Sequence, residues 1–245
     1  MLTRVHHVGL VVRRLEDGLA FWQDTLGLRV GKQATVRDQG VRAALLPIGR
    51  SEIELLEPID PAGGVAKFLE RRGEGLHHVC FETPDVGAEL TAARGQGFPL
   101  IDEAPRAGLA GMICFLHPKG TCGVLVEFAT PPPGESHPHD TAAGPLAGLA
   151  LAEVTARSRD TAVAARLFAS KLGLRPAGDD AVGVGGVRLR FTSDPGADGL
   201  AGLVLEVSDV GAASAALDAH VADGGFRLDA ARCHGVPLAF RSPAR

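Results

Sequence analysis

The sequence predicts an α+β fold built from four tandem β-α-β-β-β modules, grouped as two domains whose mixed sheets curl into cups. Three observations predict it. The doublet His6-His7-Val8 returns as His77-His78-Val79, each at the head of an apolar, strand-like run. Each run is answered downstream by a carboxylate inside an apolar strand, Glu54 in Ile53-Glu54-Leu55 and Glu127 in Val126-Glu127-Phe128. The histidines His7 and His78 stand 71 residues apart and the glutamates 73, the mark of one structural unit occurring twice.

The elements follow in order. Val5 to Val12 reads as a strand, and Leu15, Leu19, Trp22 and Leu26 form a helical stripe that stops at Gly27. Leu28 to Val36 leaves room for a strand. Val41 to Leu46 and Glu52 to Leu56 are two more, joined by the turn Gly49-Arg50-Ser51. A short helix, Val65 to Arg72, ends at Gly73 and bridges to the second copy. That copy runs from a strand at His77 to Glu82 into a helix with Val86, Leu90 and Ala93, closed by Gly95. Strands at Met112 to Leu116 and Gly123 to Phe128 flank the turn Pro118-Lys119-Gly120.

Three consecutive prolines, Pro131 to Pro133, then break the pattern, because proline cannot donate to a ladder and favours a semi-rigid spacer. The expected division is a domain over 1–130, a proline-rich linker over 131–147 and a second domain over 148–245. His137 and His139 in the linker are read as surface residues. Beyond it, Leu149 to Thr155 reads as a strand and Ala164, Phe168 and Leu172 as a helical stripe, while Asp209-Val210-Gly211 echoes Asp85-Val86-Gly87. Aligning these echoes sets Glu153 opposite His7, Gly202 opposite His78 and Ala239 opposite Glu127. The second half therefore keeps the plan and loses the donor set.

Composition bounds the partners. A net charge of −4 with scattered lysines and arginines gives no basic stripe for a phosphate backbone, which argues against nucleic acid. No apolar run approaches the roughly 20 residues of a membrane helix, and no signal-peptide core follows Met1, so a cytoplasmic protein with no membrane partner is expected. Cys80, Cys114, Cys122 and Cys233 form no C-x-x-C pair and read as reduced packing thiols.

The chemistry lies in the doublets and the acids. Side chains alternate across a strand, so one imidazole of each doublet is expected to face the cup and the other the opposite side. Glu153, at the second doublet position of the third module, favours His7 and His78 as the inward pair. An ionised carboxylate in an apolar strand is costly unless paired or bound to a cation. The matching positions of Glu54 and Glu127 thus point to one divalent ion (Co, Ni, Mn, Zn or Fe) on His7, Glu54, His78 and Glu127. Nitrogen and oxygen donors suit such borderline ions, and four protein ligands in an octahedron leave two positions open for a chelating substrate.

These segments, in order through residues 5–128, resemble the vicinal oxygen chelate superfamily, which holds glyoxalase I, bleomycin-resistance proteins and extradiol dioxygenases. Within it they are similar to the methylmalonyl-CoA epimerases, most specifically at Phe115-Leu116-His117-Pro118-Lys119 followed by Gly123-Val124-Leu125-Val126-Glu127. The resemblance implies glyoxalase-like domains and a homodimeric, metal-dependent isomerase acting on a small-molecule acyl-CoA. The metal would stabilise the enolate left when the C2 proton departs. Glu54 is then the first choice of base and Glu127 the next, with His117 and Lys119 as substrate contacts, and Arg106 is read as solvated charge. Some epimerases carry a further glutamate where this chain has Ala43. The alternatives are a glyoxalase I-type lactoylglutathione lyase, an extradiol dioxygenase relative, and, for the second half above all, a small-molecule-binding protein.

Overall fold

The computed structural model describes residues 1–134 and 142–243, so His137 and His139 lie outside the described residues. The first module comprises β1 (Arg4–Val11), α1 (Leu15–Leu19), β2 (Lys32–Val36), β3 (Val41–Ile48) and β4 (Ser51–Pro58), and α2 (Gly64–Arg72) bridges to the next. The second comprises β5 (Gly75–Glu82), α3 (Val86–Gly95), β6 (Arg106–Gly108), β7 (Gly111–Leu116) and β8 (Val126–Thr130). The third holds β9 (Ala150–Arg157), α4 (Thr161–Leu172), β10 (Arg175–Pro176), β11 (Ala181–Val184) and β12 (Val187–Thr192). The fourth holds β13 (Gly199–Glu206), α5 (Val210–Ala216), β14 (Gly225–Leu228) and β15 (Leu238–Arg241), one strand fewer than the others among the described residues.

Strands of the first two modules form one eight-stranded mixed sheet in the order β2-β3-β4-β1-β5-β8-β7-β6, and the rest form a seven-stranded mixed sheet, β10-β11-β12-β9-β13-β15-β14. One rule generates both orders. In each module the first strand lies beside the last, and the two first strands within each sheet are neighbours. The first-to-last pairing is parallel in β5–β8, β9–β12 and β13–β15, where the intervening helix supplies the crossover, and the outer pairings, such as β7–β8, are hairpin-like and antiparallel.

Among the described residues three of the five helices, α3, α4 and α5, start for a shared reason. Asp85, Asp160 and Asp209 each accept a hydrogen bond from the backbone N–H three residues on, at 2.9 Å, so the echo between Asp85-Val86-Gly87 and Asp209-Val210-Gly211 is a repeated N-cap. The stripe through Leu15, Trp22 and Leu26 departs from regular geometry: α1 lasts one turn and widens into a π-helical segment, Ala20–Thr25, with Leu26 N–H bonded to the Phe21 carbonyl at 3.0 Å. Trp22 is fully buried from that widened turn.

The described chain gathers into two compact units. One holds Met1–Val8, the second module from His78 onward and Glu153–Ala201; the other holds Gly9–His77, the segment ending at Ala152, and the chain from Gly202 onward. Within the first, Gly123 (φ +86°) lies so close to Asp198 that a Cβ would sit 2.5 Å from the Asp198 Cβ. Within the second, Gly235 (φ +78°) approaches the Glu74 carbonyl, leaving a Cβ only 1.9 Å. Each glycine precedes the last strand of its module and meets the lead-in to a first strand, β13 in one case and β5 in the other. Only glycine tolerates both the left-handed backbone and the approach.

Candidate metal centre

Strand order alone brings the expected donors together, because β4, β1, β5 and β8 are consecutive and carry Glu54, His7, His78 and Glu127 respectively. Alternation then sorts the faces. Val79 and Phe81, in register with Val126 and Phe128, turn into the apolar core, while His78, Cys80 and Glu127 take the other face.

The His7 and His78 Nε2 atoms are 3.0 Å apart, with the rings nearly perpendicular at 86°. Glu127 Oε2 lies 3.0 Å from both nitrogens. Glu54 offers an oxygen within 4.8 Å of the ligand nitrogens of His7 and His78. All four side chains are buried, none more than 7% exposed. Burial pushes the Glu127 carboxyl up, but the charge of His7 and hydrogen bonds from His7 and His78 outweigh it and hold the group well below the usual carboxylate range. Two imidazole lone pairs and a carboxylate oxygen converging on one buried point require a shared proton or a cation. That donor set fits a borderline divalent ion.

Alternation does not isolate His6 from this cluster, as the sequence suggested: its Nδ1 is 2.9 Å from the His7 Nδ1. The reason is local. Nδ1 is bonded to Cγ and stays close to the backbone, so two successive imidazoles can meet there even though the side chains leave opposite faces. The His77 ring lies edge-on to Phe68 at 4.9 Å.

Phe115, on β7, packs edge-on against His78 at 5.3 Å. Arg106 lies over the Phe115 ring at 5.6 Å and donates from Nε to Asp102 Oδ1 at 2.8 Å, while Asp102 Oδ2 accepts the Phe115 backbone N–H at 2.9 Å. The sequence reading of Arg106 as solvated charge is refined: a carboxylate and an aromatic face hold its partly exposed guanidinium in place over the ring that packs on His78. Its signal was the aspartate four residues before it, visible only once β6 and β7 pair. His117 and Lys119 sit on the turn after β7, where His117 Nδ1 accepts the Lys119 backbone N–H at 3.1 Å and so caps the turn.

In the second half a buried acid is paired differently. Glu153 is buried on β9, and on neighbouring β12 Arg190 Nε donates to it at 2.7 Å while Arg188 Nε stands at 3.8 Å. β12 occupies the place in its sheet that β4 occupies in the other, so two guanidiniums stand on the strand corresponding to that of Glu54. Gly202 and Ala239 bring no donor.

Comparison with known proteins identifies relatives of the first half of the chain. Residues 6–115 match the family described as Glyoxalase/Bleomycin resistance protein/Dioxygenase superfamily. An uncharacterized Bacillus subtilis protein, YqjC, is 36% identical over 57% of this chain and 100% of its own. The ethylmalonyl-CoA/methylmalonyl-CoA epimerase of Cereibacter sphaeroides is 35% identical over 52% of this chain and 98% of its own. Among solved structures, a Streptomyces coelicolor methylmalonyl-CoA epimerase variant in complex with 2-nitronate-propionyl-CoA superposes with a TM-score of 0.52 at 38% identity, covering 54% of this chain and 99% of that one.

Proposed function

Because the chain belongs to the glyoxalase/bleomycin resistance protein/dioxygenase superfamily, we propose that it is a metal-dependent epimerase of methylmalonyl-CoA or a similar 2-acyl-CoA. The catalytic domain in this reading spans 1–130, followed by a linker over 131–147 and a domain without metal ligands over 148–245. The observation that carries the reading is the convergence of His7, His78 and Glu127 at 3.0 Å, with Glu54 on the adjoining strand.

His7, Glu54, His78 and Glu127 would hold the divalent ion, which supplies Lewis-acid stabilisation of the negative charge that develops on the substrate oxygens. Glu127, hydrogen-bonded to both imidazoles, is committed to anchoring. Glu54 is then the better placed to take the C2 proton. Glu127 is the second candidate base should Glu54 prove dispensable. Arg106, pre-oriented by Asp102 and Phe115, is the natural contact for an anionic substrate group, since a fixed guanidinium fork loses little entropy on meeting a carboxylate. His117 and Lys119 are assigned to the acyl-CoA at the mouth of the turn.

The test is exchange of the C2 proton of methylmalonyl-CoA in deuterated water, run beside a glyoxalase assay with the methylglyoxal-glutathione hemithioacetal. Exchange that needs added divalent metal and vanishes in His78→Ala is expected. Turnover in the second assay alone would replace the epimerase reading with the lyase one.

A further inference from the structure

The His7 imidazole has two nitrogens, and they serve different neighbours. Nε2 faces His78 and Glu127, whereas Nδ1 faces His6 at 2.9 Å. Cys80, two residues beyond His78 on β5 and in register with Glu127, completes a second group: His6, His7 and Cys80 present ligand atoms that all lie within 4.8 Å of one another. All three are buried, with exposures of 2%, 1% and 0%. Ala110, Ile113, Phe115 and Ala129 pack around the thiol and keep the place dry.

We propose that His6, His7 and Cys80 form a second cation site, for a thiophilic ion such as Cd²⁺, Zn²⁺ or Cu⁺, and that its occupation competes with the four-residue centre for His7. A tetrahedral ion with arms of about 2.0 Å to nitrogen and 2.3 Å to sulfur sets its donors roughly 3.3 to 3.6 Å apart, within the spread found here. Thiolate with imidazole selects soft ions, whereas the centre of His7, Glu54, His78 and Glu127 selects borderline ones. Three protein ligands leave one position open. The site shares His7 with the proposed epimerase centre, but its signature is read on sulfur, which that centre does not contain.

The experiment is a Cd²⁺ titration of the full chain carrying Cys122→Ser, which removes the half-buried thiol, followed by ultraviolet thiolate-to-metal charge-transfer absorption. Cys114 and Cys233 are buried thiols pushed up to about 12 and are not expected to contribute. One equivalent of thiolate-bound Cd²⁺ is expected, and complete loss of the band in both Cys80→Ser and Cys80→Ala, with Co²⁺ still bound at about one per chain. Persistence of the band in either Cys80 variant, or its absence before Cys80 is replaced, overturns the proposal. Both outcomes are read whether or not the protein epimerises anything, so failure here is separable from failure of the proposed activity.

Discussion

Replacing Glu127 by glutamine tests the electrostatics of the centre without changing its shape. Two contacts of 3.0 Å join Glu127 Oε2 to His7 and His78. The amide oxygen can still accept from one imidazole, but the carboxylate's negative charge is gone, so about one charge-assisted hydrogen bond is lost. Such a bond contributes roughly 1.5–3 kcal/mol. Removing the carboxylate altogether, as in Glu127→Ala, costs about 3–5 kcal/mol because buried partners are left uncompensated. For a chain of this length each kcal/mol moves Tm by about 2–4 °C, so metal-stripped Glu127→Gln should melt roughly 3–12 °C below wild type. The sign with pH follows from the direction of the shift. A carboxylate held below its usual range contributes fully above about pH 4.3 and loses that contribution only as pH falls through its depressed native value. The gap between wild type and variant must therefore persist from pH 7 to pH 5. Adding a divalent ion at about 100 times its Kd should stabilise wild type by a further ~2.7 kcal/mol and the variant by much less. A metal-free Glu127→Gln protein that melts at or above the wild-type temperature would refute the reasoning, since burial would then outweigh the imidazole contacts.

Elemental analysis after loading should find about one divalent ion per chain, absent from the His7→Ala/His78→Ala double variant, because the second half sets arginines where donors would be. Glu54→Gln should cut C2 proton exchange by at least about a hundredfold while lowering bound metal less, as an amide keeps an oxygen donor but cannot take a proton. Native alkylation at pH 8 should spare Cys114 and Cys233, whose buried thiols stay protonated until about pH 12, and mass spectrometry of the labelled chain reads this directly. A fragment of residues 1–133 should self-associate or melt below the full chain, because Gly123 and Glu74 lose their close contacts with Asp198 and Gly235; size-exclusion chromatography and thermal melts decide.

Much of the architecture was legible because repetition is a property of the sequence. The paired doublets and acids carry the module plan, and with strand order they give four adjacent strands bearing His7, His78, Glu54 and Glu127. What escaped lies between residues distant in the chain or finer than a periodicity. The π-helical turn at Ala20–Thr25 changes no apolar spacing strongly enough to announce itself. The shorter strand count of the fourth module leaves no gap in a degenerate repeat. The orientation of Arg106 depends on a register between β6 and β7, and the His6–His7 contact on where Nδ1 sits within the ring, neither of which alternation encodes.

Arg190 and Arg188 against Glu153 give the second sheet its own counter-charge, built into the polypeptide and present from synthesis. Its buried carboxylate therefore needs no bound ion for balance. The first sheet instead sets Glu127 Oε2 3.0 Å from two imidazoles, whose charge is not permanent as a guanidinium's is. The two sheets thus meet one problem, a carboxylate inside an apolar strand, with a permanent cation in one and a conditional one in the other.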